Sequence, residues 1–157
     1  MKYYPLAINL KHRKVLVVGG GSVAGRKVAR LLEAGAHIRI VSPQLNSQLS
    51  RLAKDRKVSW SERKVQKKDV HGASIVIAAT DDDSINEKVS RWASEKRIWI
   101  NVVDNHRLSD FISPALLRKR ETIIAVYTDG KNPVLSRDLK NFLKENWNVF
   151  LSYRNRL

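Results

Sequence analysis

Short apolar runs alternate along the first hundred residues with stretches in which apolar residues recur at helical spacing. Two of the runs, 14–18 and 74–79, are almost continuously apolar, which is typical of strands buried on both faces of a parallel sheet. The predicted strands are 14–18, 37–41, 58–60, 74–79 and 97–103. The predicted helices between them are 22–33, 44–54 and 84–95. This alternation predicts an α/β fold, a Rossmann-like parallel sheet with helices on both faces.

The pattern changes in the last third of the chain. Residues 105–113 are polar and rich in turn formers, 122–127 are strongly strand-like, and 134–149 have the apolar spacing of one final helix. We therefore predict a Rossmann-like domain over 1–108 and a small α+β segment over 109–157. This segment is small for independent stability, so we expect it to pack on the first domain, on a second copy of itself, or on both.

A glycine-rich turn joins the first predicted strand to the first predicted helix. Gly19, Gly21 and Ala24 have the G-x-G-x-x-A spacing of the dinucleotide-binding fingerprint. The first glycine permits the tight turn, the second lets the backbone approach a pyrophosphate, and the small third residue lets the helix lie close to the strand. Free N–H groups at the start of the helix would then hold the phosphates. The alternative is a purely structural turn.

The end of the second predicted strand bears on the choice of cofactor. A carboxylate about 20 residues after the glycines usually binds the adenosine ribose. Here the strand ends in Val41, Ser42 and Pro43, and neither an acidic residue nor Arg follows directly. Ser42 or its backbone could still bond the ribose hydroxyls. The choice between NAD and NADP therefore stays open at this point.

Polar residues follow the fourth and fifth predicted strands. Thr80 and Asp81 come after the fourth strand, and 101–104 ends the fifth. Because ligands of an open α/β sheet bind outside the carboxyl ends of its strands, these residues should line one crevice with the glycine turn. Helix capping is the alternative for the acidic run 81–83, and a Ser-x-x-Glu capping box follows it. Asp104 ends an apolar strand and is a candidate to take or relay a proton.

Charge and composition limit the binding partners and the kinds of site that the protein can have. Lys and Arg number 30 against 15 Asp and Glu, a net charge of +15, so the partner should be acidic: nucleic acid, anionic lipid or a small polyanion. The sequence has no cysteine, which excludes disulfides, thiolate catalysis, zinc fingers and iron–sulfur clusters and fits a cytoplasmic protein. No apolar run is long enough to span a bilayer, and residues 1–6 lack the features of a signal peptide, so no membrane partner is expected.

The four histidines predict no metal site. His12, His37, His71 and His106 are scattered and lack the spacing of a ligand pair. His106 is nevertheless a candidate for a catalytic or iron-handling role, because it lies two residues from Asp104.

Several motifs together resemble a known family. They are Gly19-Gly20-Gly21-x-Val23-Ala24-x-x-Lys27, Ala79-Thr80-Asp81-Asp82 with Asn86, Asn101-Val102-Val103-Asp104, Phe111-x-x-Pro114-Ala115 and Gly130-x-x-Pro133. In this order and spacing they resemble precorrin-2 dehydrogenase, the NAD-dependent part of siroheme synthase. The resemblance covers nearly the whole chain.

This resemblance implies a reaction and the residues that serve it. Family members remove two hydrogens from precorrin-2 to give sirohydrochlorin, with NAD as hydride acceptor, and some also insert ferrous iron. Asp104 matches the family's key aspartate. Members are homodimers through their C-terminal parts, so residues 109–157 would form a dimerisation and substrate-binding segment. By the resemblance, the residues that would contact NAD are Gly21, Ser22, Val23, Ser42, Pro43, Thr80 and Val102.

The family's octacarboxylate substrate would explain part of the positive charge. Arg118, Lys131 and Arg137 are the candidate partners of its carboxylates, with Thr128 as a hydroxyl in the turn before the last helix. The basic run 51–68 is predicted to be a solvated face and has no functional account.

Three departures from the family pattern bear on activity. His106 stands where members often have a proline, and Asp129 and Asn132 alter the turn before Pro133. Longer members also carry a further helical region where this sequence ends, at Leu157. The lack of this further region would put iron chelation in doubt.

The leading hypothesis is an NAD-dependent dehydrogenation of precorrin-2 to sirohydrochlorin in siroheme biosynthesis, by a homodimer without a nucleic-acid partner. One alternative is a bifunctional dehydrogenase and sirohydrochlorin ferrochelatase. The other belongs to a different class, a non-catalytic NAD-binding regulator with a basic nucleic-acid-binding face. The sequence offers no helix-turn-helix signature or aromatic RNA platform for it.

Overall fold

The computed structural model of the chain describes residues 3–154. Predictions that rest on residues 1–2 and 155–157, namely the absent signal peptide and the early end of the chain, lie outside the described residues. No helix within 3–154 combines the length and the apolar character needed to cross a membrane.

The chain divides into two compact units, one formed by residues 5–111 and the other by 3–4 with 112–154. The boundary predicted from the sequence, between 108 and 109, lies three residues before this division. The strands of the first unit are β1 (Lys14–Val18), β2 (His37–Ser42), β3 (Ser59–Glu62), β4 (Ile75–Ala78) and β5 (Trp99–Val102). Its helices are α1 (Ser22–Glu33), α2 (Ser47–Lys54) and α3 (Asp83–Glu95), with short 3-10 helices at Lys67–Val70 and His106–Leu108.

The five strands form one parallel sheet in the order β3-β2-β1-β4-β5. Val18 at the end of β1 is paired with Val41 of β2 on one side and with Ala78 of β4 on the other. The carboxyl ends of these three strands therefore lie side by side. The predicted α/β class, a Rossmann-like parallel sheet, is confirmed.

Alternation along β1 explains why the run is continuously apolar. Val15 and Val17 pack in a cluster that includes Ala24 and Val28 of α1 and Leu49 of α2. The intervening residues, Leu16 and Val18, belong to a second cluster with Val89 and Ala93 of α3. Successive side chains of a strand point to opposite faces, so a strand covered by helices on both faces needs apolar residues at every position.

Two helix starts differ from the prediction because of capping side chains. Helix α2 begins at Ser47 rather than at 44, since Asn46 Oδ1 accepts a hydrogen bond of 2.9 Å from the N–H of Leu49. The predicted Ser-x-x-Glu capping box at the start of α3 is wrong. Asp82 is the cap, because its Oδ1 accepts from the N–H of Ile85 at 3.1 Å.

The second unit is a small α+β structure. Its elements are β6 (Ala115–Lys119), β7 (Thr122–Val126), α4 (Pro133–Glu145) and α5 (Trp147–Arg154). Strands β6 and β7 pair in antiparallel fashion, and α4 packs on both of them. The sequence predicted β7 but not β6. The single helix predicted over 134–149 is also wrong: it ends at Glu145, where the side-chain amide of Asn146 donates to the carbonyl of Phe142 at 3.0 Å.

The second unit leaves an apolar face of α4 uncovered. The apolar residues at helical spacing, Val134, Leu135, Leu139 and Phe142, are each 44% to 59% exposed. Leu117 and Val126 are the buried apolar residues of this unit within the described part of the chain.

Candidate active site at the carboxyl edge of the sheet

A cavity of about 500 Å³ lies at the carboxyl ends of β1, β2 and β4. Strand order reverses direction between β1 and β4, which is where open α/β sheets bind ligands. The cavity brings together predicted cofactor residues, namely Gly19, Gly21, Ser42, Pro43, Thr80 and Asp81. The other residues that line it are Val18, Gly20, Val41, Gln44, Leu45, Asn46, Lys64, Val65, Ala79 and Ile85.

The three consecutive glycines differ in what a Cβ atom would contact at each position. Gly19 has a φ of +115°, and a Cβ there would lie 2.2 Å from the carbonyl oxygen of Ala79. A Cβ on Gly20 would lie 1.9 Å from the carbonyl oxygen of Gln44. A Cβ on Gly21 would meet no protein atom within 4 Å. Protein packing therefore requires the first two glycines, whereas the third keeps open the space above the start of α1.

The N-terminus of α1 has no capping side chain. Gly21 is its N-cap residue and supplies none, and no acidic residue stands in the first turn. The side chains of Asn46, Asp82 and Asn132 cap α2, α3 and α4. The first N–H groups of a helix have no partner within the helix, and the helix dipole makes this end positive. The helix that begins at the cavity therefore keeps its donors for an anion, so the residues fit the pyrophosphate of a dinucleotide.

Four residues predicted for the cofactor do not line the cavity with their side chains. Ser22 and Val23 form the first turn of α1, where their N–H groups are the relevant atoms. Ala24 is fully buried in the cluster between α1 and the sheet, which agrees with its predicted packing role. Val102 is 2% exposed, and its N–H donates to Ser109 Oγ at 2.8 Å.

Buried polar contacts set the loop that follows β2. Ser42 is 8% exposed, and its hydroxyl donates to the carbonyl of Gln44 at 2.7 Å. The indole N–H of Trp60 in β3 donates to the carbonyl of Ser42 at 3.0 Å. The hydroxyl proton of Ser42 is therefore engaged, which leaves its oxygen as an acceptor toward the cavity.

The loop after β4 is held by Asn86 of α3, which is 4% exposed. Asn86 Oδ1 accepts from the hydroxyl of Thr80 at 2.8 Å, and its amide donates to the carbonyl of Thr80 at 2.9 Å. Thr80 therefore lies at a fixed position in the cavity wall. Asp81 is exposed beside it and lines the same wall.

A lysine on α1 reaches the end of β5. Lys27 Nζ donates to Oδ1 of the buried Asn101 at 3.0 Å, and Asn101 Nδ2 donates to the carbonyl of Phe111 at 3.0 Å. Burial, together with the nearby charge of Arg30, lowers the pKa of Lys27 from 10.5 to about 8, while the carboxylate of Asp104 opposes the shift. The charge of Lys27 therefore interacts with that of Asp104, and Lys27 changes its charge near pH 8.

Asp104 follows β5 with a φ of +61°, in the left-handed region that Asp tolerates better than most residues. The backbone before it is fixed, since the N–H of Val103 donates to the carbonyl of Ala78 at 2.9 Å. Asp104 is exposed and lies outside the lining of the cavity. His106, also exposed, begins the 3-10 helix that follows. Among residues 3–154, no three acidic or histidine side chains group as metal ligands would.

Comparison with known proteins decides the family. A family described as "Putative NAD(P)-binding" matches residues 6–115. The chain belongs to this NAD(P)-binding family. The match includes the whole sheet, the glycine turn and Asp104.

The chain is similar in sequence to several siroheme synthases. Those of Neisseria meningitidis serogroup C (strain 053442) and Nitrosomonas eutropha are 40% and 43% identical over 144 and 141 residues, or 92% and 89% of this chain. The chain spans 30% of the length of each of them. The solved structure of "SirC, precorrin-2 dehydrogenase" superposes with a TM-score of 0.80 at 26% identity, over 92% of this chain and 71% of that one. The predicted resemblance to the precorrin-2 dehydrogenase and siroheme synthase N-terminal family is confirmed.

The predicted substrate residues lie beyond the family match, in the second unit. Arg118 of β6 and Lys131 are exposed. Arg137 of α4 is also exposed, and its Nε lies 3.1 Å from a carboxylate oxygen of Asp138. Thr128 Oγ1 donates to the carbonyl of Asn132 at 2.7 Å, which closes the turn before α4.

The sequence-based site omitted Gly20, Asn86 and Lys27 from its candidate residues. Gly20 stood at an x position of the fingerprint, and its packing partner is distant in sequence. Asn86 and Lys27 were visible only as members of the quoted motifs.

Proposed function

We propose that this chain is an NAD-dependent precorrin-2 dehydrogenase, which forms sirohydrochlorin in siroheme biosynthesis. The observation that carries the proposal is the uncapped N-terminus of α1 at the cavity, below the open space that Gly21 leaves. Dinucleotides bind in this way, because pyrophosphate oxygens accept from the first N–H groups of a helix. The siroheme synthase relatives and the SirC structure support the choice of substrate.

The cofactor would lie along the carboxyl edge of the sheet. The backbone N–H groups of Gly21, Ser22 and Val23 would hold the pyrophosphate, and Ser42 and Thr80 would face the two ends of the dinucleotide. Val102 and Ala24 contribute by shaping the sheet and the helix rather than by contact, since both are buried.

The reaction removes a hydride and a proton from precorrin-2. NAD⁺, when bound, supplies the acceptor for the hydride. Asp104 accepts the proton as a carboxylate, directly or through a water molecule. Lys27 is a positioning residue, since it ties α1 to Asn101 in β5 and places a positive charge near Asp104.

The direct test is NADH formation by the purified chain with precorrin-2 and NAD⁺, followed by absorbance. Asp104→Asn keeps the shape of the side chain but cannot take a proton, so kcat should fall by at least roughly 10²-fold while NAD⁺ binds as before. Asp55→Asn is the matched control, because Asp55 is exposed and does not line the cavity, and its kcat should change by less than about threefold. Full activity of Asp104→Asn would overturn the assigned role, and no turnover by the wild type would overturn the proposed function.

The basic residues of the second unit belong to the same proposal. Arg118 and Lys131 are exposed cations that would attract the carboxylates of a tetrapyrrole, whereas the Arg137 charge is already beside Asp138. Lys131→Ala should therefore raise KM for precorrin-2 more than Arg137→Ala does. An equal KM for both variants and the wild type would remove these residues from the substrate site.

We propose further that the chain works as a homodimer in the cytoplasm. The uncovered apolar face of α4, with Leu135, Leu139 and Phe142, supports the dimer, because exposed apolar patches of this kind mark interaction surfaces. Phe142→Glu should halve the mass found by light scattering, whereas Lys140→Glu on the same helix should not. The cytoplasmic location is supported by the need of the reaction for NAD⁺.

A further inference from the structure

We propose that the cavity also accepts a dinucleotide with a phosphate on the adenosine 2′ oxygen, and that Lys64 is the counter-charge for this phosphate. NADP⁺ would then bind about as well as NAD⁺. The inference rests on the proposed function, since it concerns the adenosine end of the same cofactor site. Lys64 belongs to the basic run 51–68, for which the sequence alone indicated only a solvated face.

The placement of Lys64 follows from the register of the sheet. Ser42, the last residue of β2, is paired with Glu62, the last residue of β3. Lys64 comes two residues after Glu62 and lines the cavity together with Ser42 and Gln44. The ribose of a dinucleotide lies at the end of β2 in this fold. A cation after β3 would therefore lie near the 2′ oxygen of a bound dinucleotide.

The charges that line the cavity favour a phosphate at this end. Among the described lining residues, Lys64 is the single basic side chain and Asp81 is the single acidic one. Asp81 follows β4, and β1 separates β4 from β2 in the sheet. A carboxylate at the end of β2 would select NAD by bonding the ribose hydroxyls and repelling a 2′-phosphate. Ser42 stands there instead, and the exposed Glu62 does not line the cavity.

The loop that carries Lys64 is anchored by a buried carboxylate. Asp69 is 2% exposed and forms ion pairs with Arg63 at 2.7 Å and with Arg39 at 3.0 Å. Arg63 Nη1 also donates to the carbonyl of Lys64 at 3.1 Å, and the N–H of Gln66 donates to Asp69 at 2.8 Å. The two arginines are thus engaged by Asp69, and the backbone of Lys64 is held at the cavity wall.

The test compares NAD⁺ with NADP⁺, and 5′-AMP with 2′,5′-ADP, by calorimetric titration of the whole chain. In the wild type the Kd for NADP⁺ should lie within about threefold of that for NAD⁺. Lys64→Ala should weaken NADP⁺ and 2′,5′-ADP by roughly tenfold and NAD⁺ and 5′-AMP by less than about twofold. The preference that Lys64 supplies should shrink as salt is raised, because the side chain is exposed.

Lys68→Ala is the matched control, because Lys68 is exposed in the same basic run but does not line the cavity. It should leave all four affinities unchanged. Wild-type NADP⁺ binding more than tenfold weaker than NAD⁺ binding would overturn the inference and leave the proposed function standing. So would an equal loss for both dinucleotides in Lys64→Ala. If the wild type bound neither dinucleotide, the proposed function itself would fall, and the inference with it.

Discussion

Lys27 Nζ lies 3.0 Å from Asn101 Oδ1, so the first helix of the Rossmann-like unit is tied by a charged hydrogen bond to its last strand. The two residues are distant in sequence, and the bond is partly buried. Burial makes the ammonium costly, which is why the pKa of Lys27 falls to about 8. The contact places a titratable cation near Asp104, at the end of the sheet where the proposed chemistry occurs.

This lowered pKa predicts a specific dependence of stability on pH. Between about pH 8 and 10.5, the ordinary value, the unfolded chain holds more protons on Lys27 than the folded chain does. The free energy of unfolding of the wild type should therefore rise with pH across this window relative to Lys27→Met. Urea unfolding of both proteins at several pH values measures the difference. A difference that stays constant across the window would contradict the lowered pKa.

Adjacent glycines should respond differently to the same substitution. Gly20→Ala places a Cβ against the backbone oxygen of Gln44, which cannot move aside easily, and should cost about 2–3 kcal/mol of unfolding free energy. Gly21→Ala meets no protein atom, and its φ of −81° suits any residue, so stability should change by less than about 0.5 kcal/mol. The new methyl group would nevertheless occupy the open space at α1, and NAD⁺ binding should weaken by at least roughly tenfold.

Denaturant unfolding and nucleotide titration of both glycine variants separate these effects. A stable Gly21→Ala protein that binds NAD⁺ normally would place the pyrophosphate elsewhere. Normal stability of Gly20→Ala would show that the Gln44 loop can shift away from the turn.

Removal of the Asp69 carboxylate should loosen the loop between β3 and β4. The hydrogen bonds from Arg63, from the backbone of Gln66 and from Arg39 lower the pKa of Asp69 far below 3.8, despite its burial. Asp69→Asn should cost about 2–3 kcal/mol at neutral pH, because two arginines lose their partner. The stabilisation is present above pH 3.8 and is lost as the pH falls from there toward the native pKa, so the two proteins should converge in acid.

Urea titrations of Asp69→Asn from neutral pH to acid, with the exposed Asp55→Asn as control, measure this contribution. The prediction fails if the gap between Asp69→Asn and the wild type is the same at every pH.

Asn86 is expected to control the position of Thr80. Asn86→Ala removes the partners of the Thr80 hydroxyl and carbonyl and should cost about 2 kcal/mol of unfolding free energy. NAD⁺ binding should weaken as the loop after β4 loses its fixed position. Calorimetry and thermal unfolding test this, with Glu87→Ala, an exposed neighbour, as the variant that should change neither quantity.

Local sequence determined the architecture of the first unit. Residues 14–18 are apolar at every position because both faces of β1 are covered, and this pattern is visible without coordinates. The turn at Gly19 and Gly21 is also predicted by the sequence, since a strand, two glycines at fixed spacing and a helix follow one another in the chain. Such features depend on neighbours in sequence.

Tertiary structure alone decided which residues meet. The need for glycine at 20 comes from a carbonyl at residue 44, and the charge state of Lys27 comes from burial beside β5. The role of Lys64 depends on the register of β2 with β3 and on a carboxylate at Asp69. These contacts join segments that are far apart in the chain. Their energies depend on distance and desolvation in space, which residue spacing does not encode.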